Sequence, residues 1–518
     1  MTENGAVRAA GRREWIGLAT LALATLMITF EMFALLLALP KITEELRPSA
    51  AQQLWIVDVY GFMVGGLLIT MGTLGDRVGR RKVLMVGAAG FAAASLVCAF
   101  ATSADMLILG RALLGVAGST LAPSTLALIR NMFPDPRQMG LAVGVWAGGF
   151  TLGAILGLVV GGVMLAHLWW GSTFLLAVPV MALLLVLCPV FVAEHRGSGT
   201  ASLDVIGALL SVVTMIALSY GLKEITRHGW RPVPILVGLA GVGIGAVFVR
   251  RQLRGDHPLL DLRLFANRSF STMLVGLVLY ALIGASGLFY LTQFLQSVSG
   301  MTPLASALCL LPGMAVAAAS GILSPLLARR IRPAYLISGG LVGMAAAYAM
   351  FSRLDASSGP GLVMLGFAVT ALGEGPLLTL GTSLVVASAP PDKAGSSASM
   401  TQVANEAGAS LGVAVMGSIG AAVYVGRLDD TAPEGLAGDA LAGARESVAG
   451  AVAAASDLPA QLGAPLVAAA REAFVSGMNV FATVSVGILL LAAVVIAARL
   501  RHVPPTGRRA ASSVKTGS

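Results

Sequence analysis

Four carboxylates stand where carboxylates are costly. Glu31, Asp58, Glu374 and Glu406 each fall inside a long apolar run, whereas the other 21 of the 25 acidic residues lie in polar gaps, tails or run ends. An ionised acid at the centre of a bilayer costs roughly 2.5–3.5 kcal/mol or more, so each of these needs a water-filled cavity, a cationic partner or a proton. Desolvation strengthens a carboxyl group's hold on its proton and a neighbouring cation weakens it. A group balanced in that way holds either a proton or an organic cation, which is the chemistry of exchanging one for the other. Arg111 is the basic residue inside an apolar run; it needs an acidic partner or must snorkel to the surface. At about 1.5 Å per helical residue, Asp58 and Arg111 lie about one turn, and Glu31 about two turns, below the outer ends of their runs. That shared depth predicts a network of Glu31, Asp58 and Arg111. Glu374 and Glu406 lie in the other half of the chain and are expected to meet substrate. For each acid the plain alternative is a hydrogen-bonded structural partner. Trp55, Trp146, Phe289 and Tyr290 have the ring type that stacks on a lipophilic cation; their alternative is an interfacial or core aromatic.

The elements that must position these residues are membrane helices. The chain has 518 residues, 57% hydrophobic and 11% charged, with a mean hydropathy of +0.86. Such a composition excludes a soluble globule. The formal charge of +9 does not indicate nucleic acid, because the basic residues occupy short gaps and form no stripe on a folded domain. Cys98, Cys188 and Cys309 sit singly in apolar runs and make no metal or redox pattern. The five histidines form no ligand pair, and no phosphate-binding loop for ATP appears. No metal, cofactor or enzymatic chemistry is therefore expected.

Apolar runs long enough to cross about 30 Å of hydrocarbon number fourteen: 16–39, 54–74, 83–101, 107–130, 140–164, 172–193, 204–222, 232–249, 270–292, 303–327, 334–352, 360–382, 397–424 and 476–498. The first has no cleavage site and ends at Pro40, so it reads as a retained helix. With both termini cytoplasmic, 24 of the 34 Lys and Arg fall inside and 9 outside, which fixes the orientation. A weak repeat relates the halves: a shift of 252 positions lays Arg77 and Arg80 on Arg329 and Arg332. The fold class is thus an all-α integral membrane protein of fourteen transmembrane helices, in two six-helix halves with two inserted helices. Its expected segments are a cytoplasmic N-tail 1–15, an N-terminal half 16–195, the inserted seventh and eighth helices with a cytoplasmic loop over 196–268, a C-terminal half 269–499 carrying a long external loop 425–475, and a cytoplasmic C-tail 500–518. That external loop is either an ordered cap or loosely structured, with its 467–474 end helical.

Between the second and third runs lies Gly75-Asp76-Arg77-Val78-Gly79-Arg80-Arg81-Lys82. As an anchor, it needs only its charge. As a gate, Asp76 pairs with basic residues or caps a helix while the glycines permit a close turn. From Gly72 onward this loop matches the G-x-x-x-D-x-x-G-R-[KR]-[KR] signature of the major facilitator superfamily. The chain resembles that family's fourteen-helix drug:proton antiporter branch nearly end to end. Leu54-Trp55-Ile56-Val57-Asp58-Val59-Tyr60 is similar to the second-helix segment of quaternary-ammonium, dye and fluoroquinolone exporters. Arg111 with Gly115 resembles the fourth-helix arginine motif, and Gly153, Gly157, Gly161 and Gly162 the fifth-helix antiporter motif; Gly408 and Gly412 repeat that spacing. Two positions depart from the pattern: Leu158 stands where the antiporter motif has proline, and Glu31 where the first helix usually has Asp. The resemblance implies a monomer in the cell membrane that exports lipophilic, cationic small molecules by alternating access, coupled to protons. The sequence leaves three alternatives: a dedicated exporter of one natural product or lipid-like molecule, a proton symporter for uptake, and a non-transporting membrane sensor.

Overall fold

The computed structural model describes residues 10–195, 204–228, 231–254, 262–388, 394–433, 436 and 438–505. Most of both tails, and the middle of the 250–268 link, lie outside the described residues. Within them the fold is helical throughout: α1 (Arg12–Leu46), α2 (Ala50–Val78), α3 (Arg80–Ala99), α4 (Ala104–Met132), α5 (Pro136–His167), α6 (Ser172–Leu175), α7 (Ala177–Phe191), α8 (Val205–His228), α9 (Pro232–Arg254), α10 (Arg268–Gln293), α11 (Pro303–Leu327), α12 (Pro333–Phe351), α13 (Pro360–Pro376), α14 (Thr382–Ala387), α15 (Ala394–Thr431), α16 (Gly438–Glu446), α17 (Val448–Ser456) and α18 (Ala460–Leu500). Among the described residues thirteen stretches are long and apolar enough to span a membrane, and Val205–Gly221 is a shorter apolar one, close to the fourteen crossings expected.

The gaps between spans carry helix-starting chemistry. Ser49 caps α2, exchanging backbone and side-chain hydrogen bonds with Gln52 at 3.2 and 3.0 Å. Ser103 caps α4, Asp135 followed by Pro136 starts α5, and Thr302 followed by Pro303 starts α11.

Three elements depart from the expected boundaries. α1 runs through Pro40 to Leu46 instead of ending there, because Leu35 to Leu39 and Ile42 are buried on both sides of the proline. Packing of that kind outweighs the lost backbone bond. The twelfth crossing is interrupted after Pro376 by a π-helical turn, Leu377–Gly381, where the proline supplies no backbone donor. The long external segment 425–475 is largely helical: α15 and α18 overshoot, and α16 and α17 lie between them. Tyr424, Leu428, Val448 and Leu466 form a small core there, and the Tyr424 hydroxyl donates to the Ala444 carbonyl at 2.6 Å. This ordered cap defines one end of the bundle; the 75–82 loop lies at the other.

The two halves pack alike. In the first, α1 lies on α5, α2 on α4, and α3 on both α4 and α7; in the second, α10 lies on α15, α11 on α13, and α12 on both α13 and α18. The lobes meet along two equivalent seams, α2 against α15 and α5 against α11. The inserted α8 and α9 pair with each other, and α8 also lies against α2 and α15. Gly66 makes that approach possible, since a Cβ there would stand 2.3 Å from a Val212 methyl, and Ser211 donates to the Gly66 carbonyl at 3.2 Å. Within a membrane such small-residue contacts substitute for a hydrophobic drive between helices.

Candidate functional site: a polar centre across the seam

Arg111 is the largest of the most deeply buried side chains, at 1% exposure. Its Nε donates to the Ile56 carbonyl at 3.2 Å, and its guanidinium carbon stands 4.6 Å from the centre of the Tyr60 ring. Both partners belong to α2, so the arginine fastens α4 to α2. The helices come this close because a Cβ on Gly115 would lie 2.6 Å from the Tyr60 carbonyl oxygen and one on Gly118 2.9 Å from its hydroxyl. A desolvated cation–π contact of this kind contributes about 2 kcal/mol.

Glu31 is buried and accepts a hydrogen bond from Ser95 of α3 at 2.9 Å. Its second carboxylate oxygen has no hydrogen-bond partner among the described residues. Arg111 acts on it electrostatically. Asp58 is buried on α2, between Ile56 and Tyr60. The first lobe thus holds Glu31 and Arg111 within electrostatic reach of each other, and Asp58 is buried in the same lobe.

The second lobe divides its acids differently from the sequence expectation. Glu374, on α13, has its carboxyl group facing the Tyr280 hydroxyl. Glu406, on α15, accepts a hydrogen bond from Gln402 at 3.0 Å. It lies on the seam: a Cβ placed on Gly65 would be 3.6 Å from the Glu406 Cβ. Glu31, Arg111 and Glu406 all act electrostatically on Tyr60. Glu406 therefore faces α2 at the seam, whereas Glu374 faces Tyr280 within the second lobe. Tyr60 itself was missed as a site residue from sequence, although it lies within the quoted 54–60 segment. Its hydroxyl is buried without a hydrogen-bond partner among the described residues.

The aromatic candidates are placed variously. Trp146 donates to Thr125 at 2.9 Å, which ties α5 to α4, and stacks edge-on against Phe150. Trp55 packs edge-on against Phe62 at 5.9 Å. Tyr290 stacks on Phe481 at 4.8 Å, and its hydroxyl donates to the Met416 carbonyl at 3.0 Å. Phe289 lies beside it at 5.5 Å.

At the other end, Asp76 pairs with Arg80 at 2.6 Å, one helical turn on, and Gly75 is packed under the Arg80 side chain. Gly72 faces Pro123 of α4. Gly79 has φ +125°, a conformation open to glycine, and a Cβ there would strike the Glu194 carboxylate at 2.8 Å. Glu194 accepts from the Arg81 and Lys82 backbone amides at 2.9 and 3.2 Å, capping α3 with the negative charge its N-terminus favours. Arg81 in turn donates to the Val192 carbonyl at 3.0 Å, just beyond α7. Arg77 is exposed. These contacts stay within the first lobe. Glu194 was not singled out from sequence; an acid immediately after the last residue of an apolar run is the signal it left. The echo in the second lobe is visible as Arg332 donating to the Arg501 carbonyl at the end of α18 at 3.0 Å.

The glycine motif is a packing ladder. Cβ atoms on Gly153, Gly157 and Gly161 would lie 2.3, 2.6 and 3.1 Å from the Leu26 and Phe30 carbonyls and the Ala34 side chain of α1. Gly162 instead faces the Leu304 backbone of α11, across the second seam, at 2.9 Å. Gly408 and Gly412 repeat the ladder against the Val278 and Leu282 carbonyls of α10. Val278 and Leu282 stand 252 positions after Leu26 and Phe30, the same offset as the loop repeat.

Two six-helix lobes related by a repeat, with ionisable residues buried inside the first lobe and at the seam between the two, have the architecture of a secondary membrane transporter. Residues 21–413 match the Major Facilitator Superfamily model, and the chain belongs to that family. It is 40% identical to the multidrug efflux pump LfrA of Mycolicibacterium smegmatis, covering 95% of this chain and 97% of that protein. It is 33% identical to the tetracenomycin C resistance and export protein of Streptomyces glaucescens, over 93% and 91%. The methyl viologen resistance protein SmvA of Salmonella typhimurium is 30% identical, over 93% and 97%. Among solved structures, a bacterial homologue of the human lysosomal transporter Spinster, inward-facing and occupied, superposes with a TM-score of 0.64 at 19% identity, covering 95% of this chain and 98% of that one. That likeness concerns the fold alone.

Proposed function

We propose that this protein is a proton-coupled exporter of lipophilic, cationic compounds, working as a monomer by alternating access between its two lobes. The observation that carries the reading is the end-to-end match to a multidrug efflux pump, at 40% identity over 95% of the chain. The buried charges agree with it. Glu31, with one carboxylate oxygen unpartnered among the described residues, is the proton-carrying group. Arg111 sets its balance between protonated and ionised forms, and Asp58 completes the network. Glu406 sits where substrate bound between the lobes would reach both halves, and Glu374 lies deeper in the second lobe. Trp55, Trp146, Phe289 and Tyr290 supply aromatic surface. Both termini and the 75–82 loop face the cytoplasm, as the positive-inside rule requires. In that orientation the cap is external. The loop holds the first lobe together in this state and gates in another.

The test is reconstitution into liposomes with an imposed pH gradient and a panel of cationic dyes and neutral antibiotics. Gradient-dependent movement of many cations supports the reading, and no movement under any gradient rejects it. A second reading, export of one natural product, is favoured by the match to a tetracenomycin C exporter and by Leu158 in place of the motif proline. Movement of one neutral compound alone would select it.

A further inference from the structure

At the capped end, the α2–α15 seam opens into a small chamber of about 80 Å³. Leu54 of α2 and Gly417 of α15 close its floor: a Cβ on Gly417 would touch the Leu54 side chain at 2.8 Å. Its walls carry Phe289, Tyr290 and Phe474, and its rim carries Glu446, the last residue of α16. Gln293 also lines it. That side chain is 6% exposed, and its amide nitrogen has no hydrogen-bond partner among the described residues. Its carbonyl oxygen is engaged by Ser297 at 3.3 Å, which leaves the nitrogen as the idle end. A buried donor without a partner costs about 1–3 kcal/mol, so a ligand oxygen that reaches it recovers that cost. Beyond Glu446 the wall is shared with a larger cavity of about 410 Å³ under the cap, lined by Asp439 and Asp457 and by one cation, Arg47, which these acids outnumber.

We propose that this chamber is a second substrate subsite, on the exit side of the seam, selective for aromatic cations that carry a carbonyl or ether oxygen. The rings hold the aromatic body, Gln293 donates to the oxygen, and Glu446, with the acids beyond it, favours the positive charge. In the state described, the chamber is too small for a drug-sized molecule; separation of Leu54 from Gly417 enlarges it as the lobes rock. The proposal rests on the efflux reading above and adds to it a step at which cargo is sorted after leaving the centre.

Two dyes separate its parts. Rhodamine 6G carries an ester carbonyl and a ring oxygen, and ethidium carries no oxygen. In proteoliposomes, Gln293→Leu is expected to raise the KM for rhodamine 6G about fivefold, the worth of one hydrogen bond, and that for ethidium less than twofold. Gln293→Asn, which keeps the amide but withdraws it by one methylene, gives the same split in weaker form and serves if the leucine variant fails to fold. Glu446→Gln is expected to raise both KM values alike. Unchanged KM values, or equal rises for both dyes in the Gln293 variants, would overturn the proposal. Equilibrium binding of the two dyes to the detergent-solubilised protein, without a gradient, reads the same split independently. A protein that binds with the split but moves neither dye would refute the efflux reading while keeping the subsite.

Discussion

At the scale of single residues, Arg111 and Tyr60 carry different loads that substitutions can separate. Tyr60→Phe removes only an unpartnered hydroxyl and keeps the ring under the guanidinium, so the protein should be unchanged or more stable by up to about 1 kcal/mol. Tyr60→Leu removes the ring and should cost about 2 kcal/mol. Thermal unfolding in detergent measures both. Glu31→Gln keeps the volume and the bond from Ser95 but removes the exchangeable proton; efflux driven by a pH gradient should fall to leak level while dye binding persists. Full gradient-driven efflux by that variant would remove Glu31 from the coupling role. The four carboxylates were legible because apolar runs make an acid conspicuous. Their grouping was not, since depth along a helix says nothing about which face it occupies. Glu406 faces α2 across the seam and Glu374 faces Tyr280, a difference of rotation that needs the neighbouring helices to be seen.

At the scale of elements, the two sides of α5 make a controlled comparison. Gly153→Ala places a methyl 2.3 Å from a backbone carbonyl that cannot swing aside, and should cost about 1–3 kcal/mol by overpacking. Gly144→Ala meets nothing within 4 Å and should stabilise the helix by up to about 1 kcal/mol. Equal melting temperatures for the two variants would refute the ladder. The helices themselves were legible from hydropathy, and the glycine spacing announced a close approach without naming the partner. Only the 467–474 end of the cap was legible as helix: 425–475 is rich in Ala, Gly and acid, with no apolar run of membrane length. Its helices are held by a small shared core around Tyr424 that appears only when α15 and α18 lie side by side. The π-helical turn after Pro376 was not legible, since Pro40, Pro123 and Pro312 stand inside continuous α-helix in α1, α4 and α11.

At the scale of the molecule, the repeated packing makes the two seams equivalent in kind, so closure at the capped end can be fixed chemically. Leu54→Cys with Gly417→Cys, in a background without Cys98, Cys188 and Cys309, should form a disulfide on oxidation and stop efflux, with recovery on reduction. Undiminished efflux by the cross-linked form would show that this seam does not open. The weak 252-residue offset in the sequence was enough to expose the two halves, because the loop arginines and the α1 and α10 contact residues all keep it. The placement of α8 was not foreshadowed, and it breaks the equivalence. It lies along the α2–α15 seam, fitted over Gly66, while among the described residues no inserted helix lies over the α5–α11 seam, whose helices turn Leu141, Leu152, Ile322 and Leu326 outward. Among the described residues, then, the two flanks of the junction differ: one is walled by an inserted helix and the other shows its own apolar side chains outward.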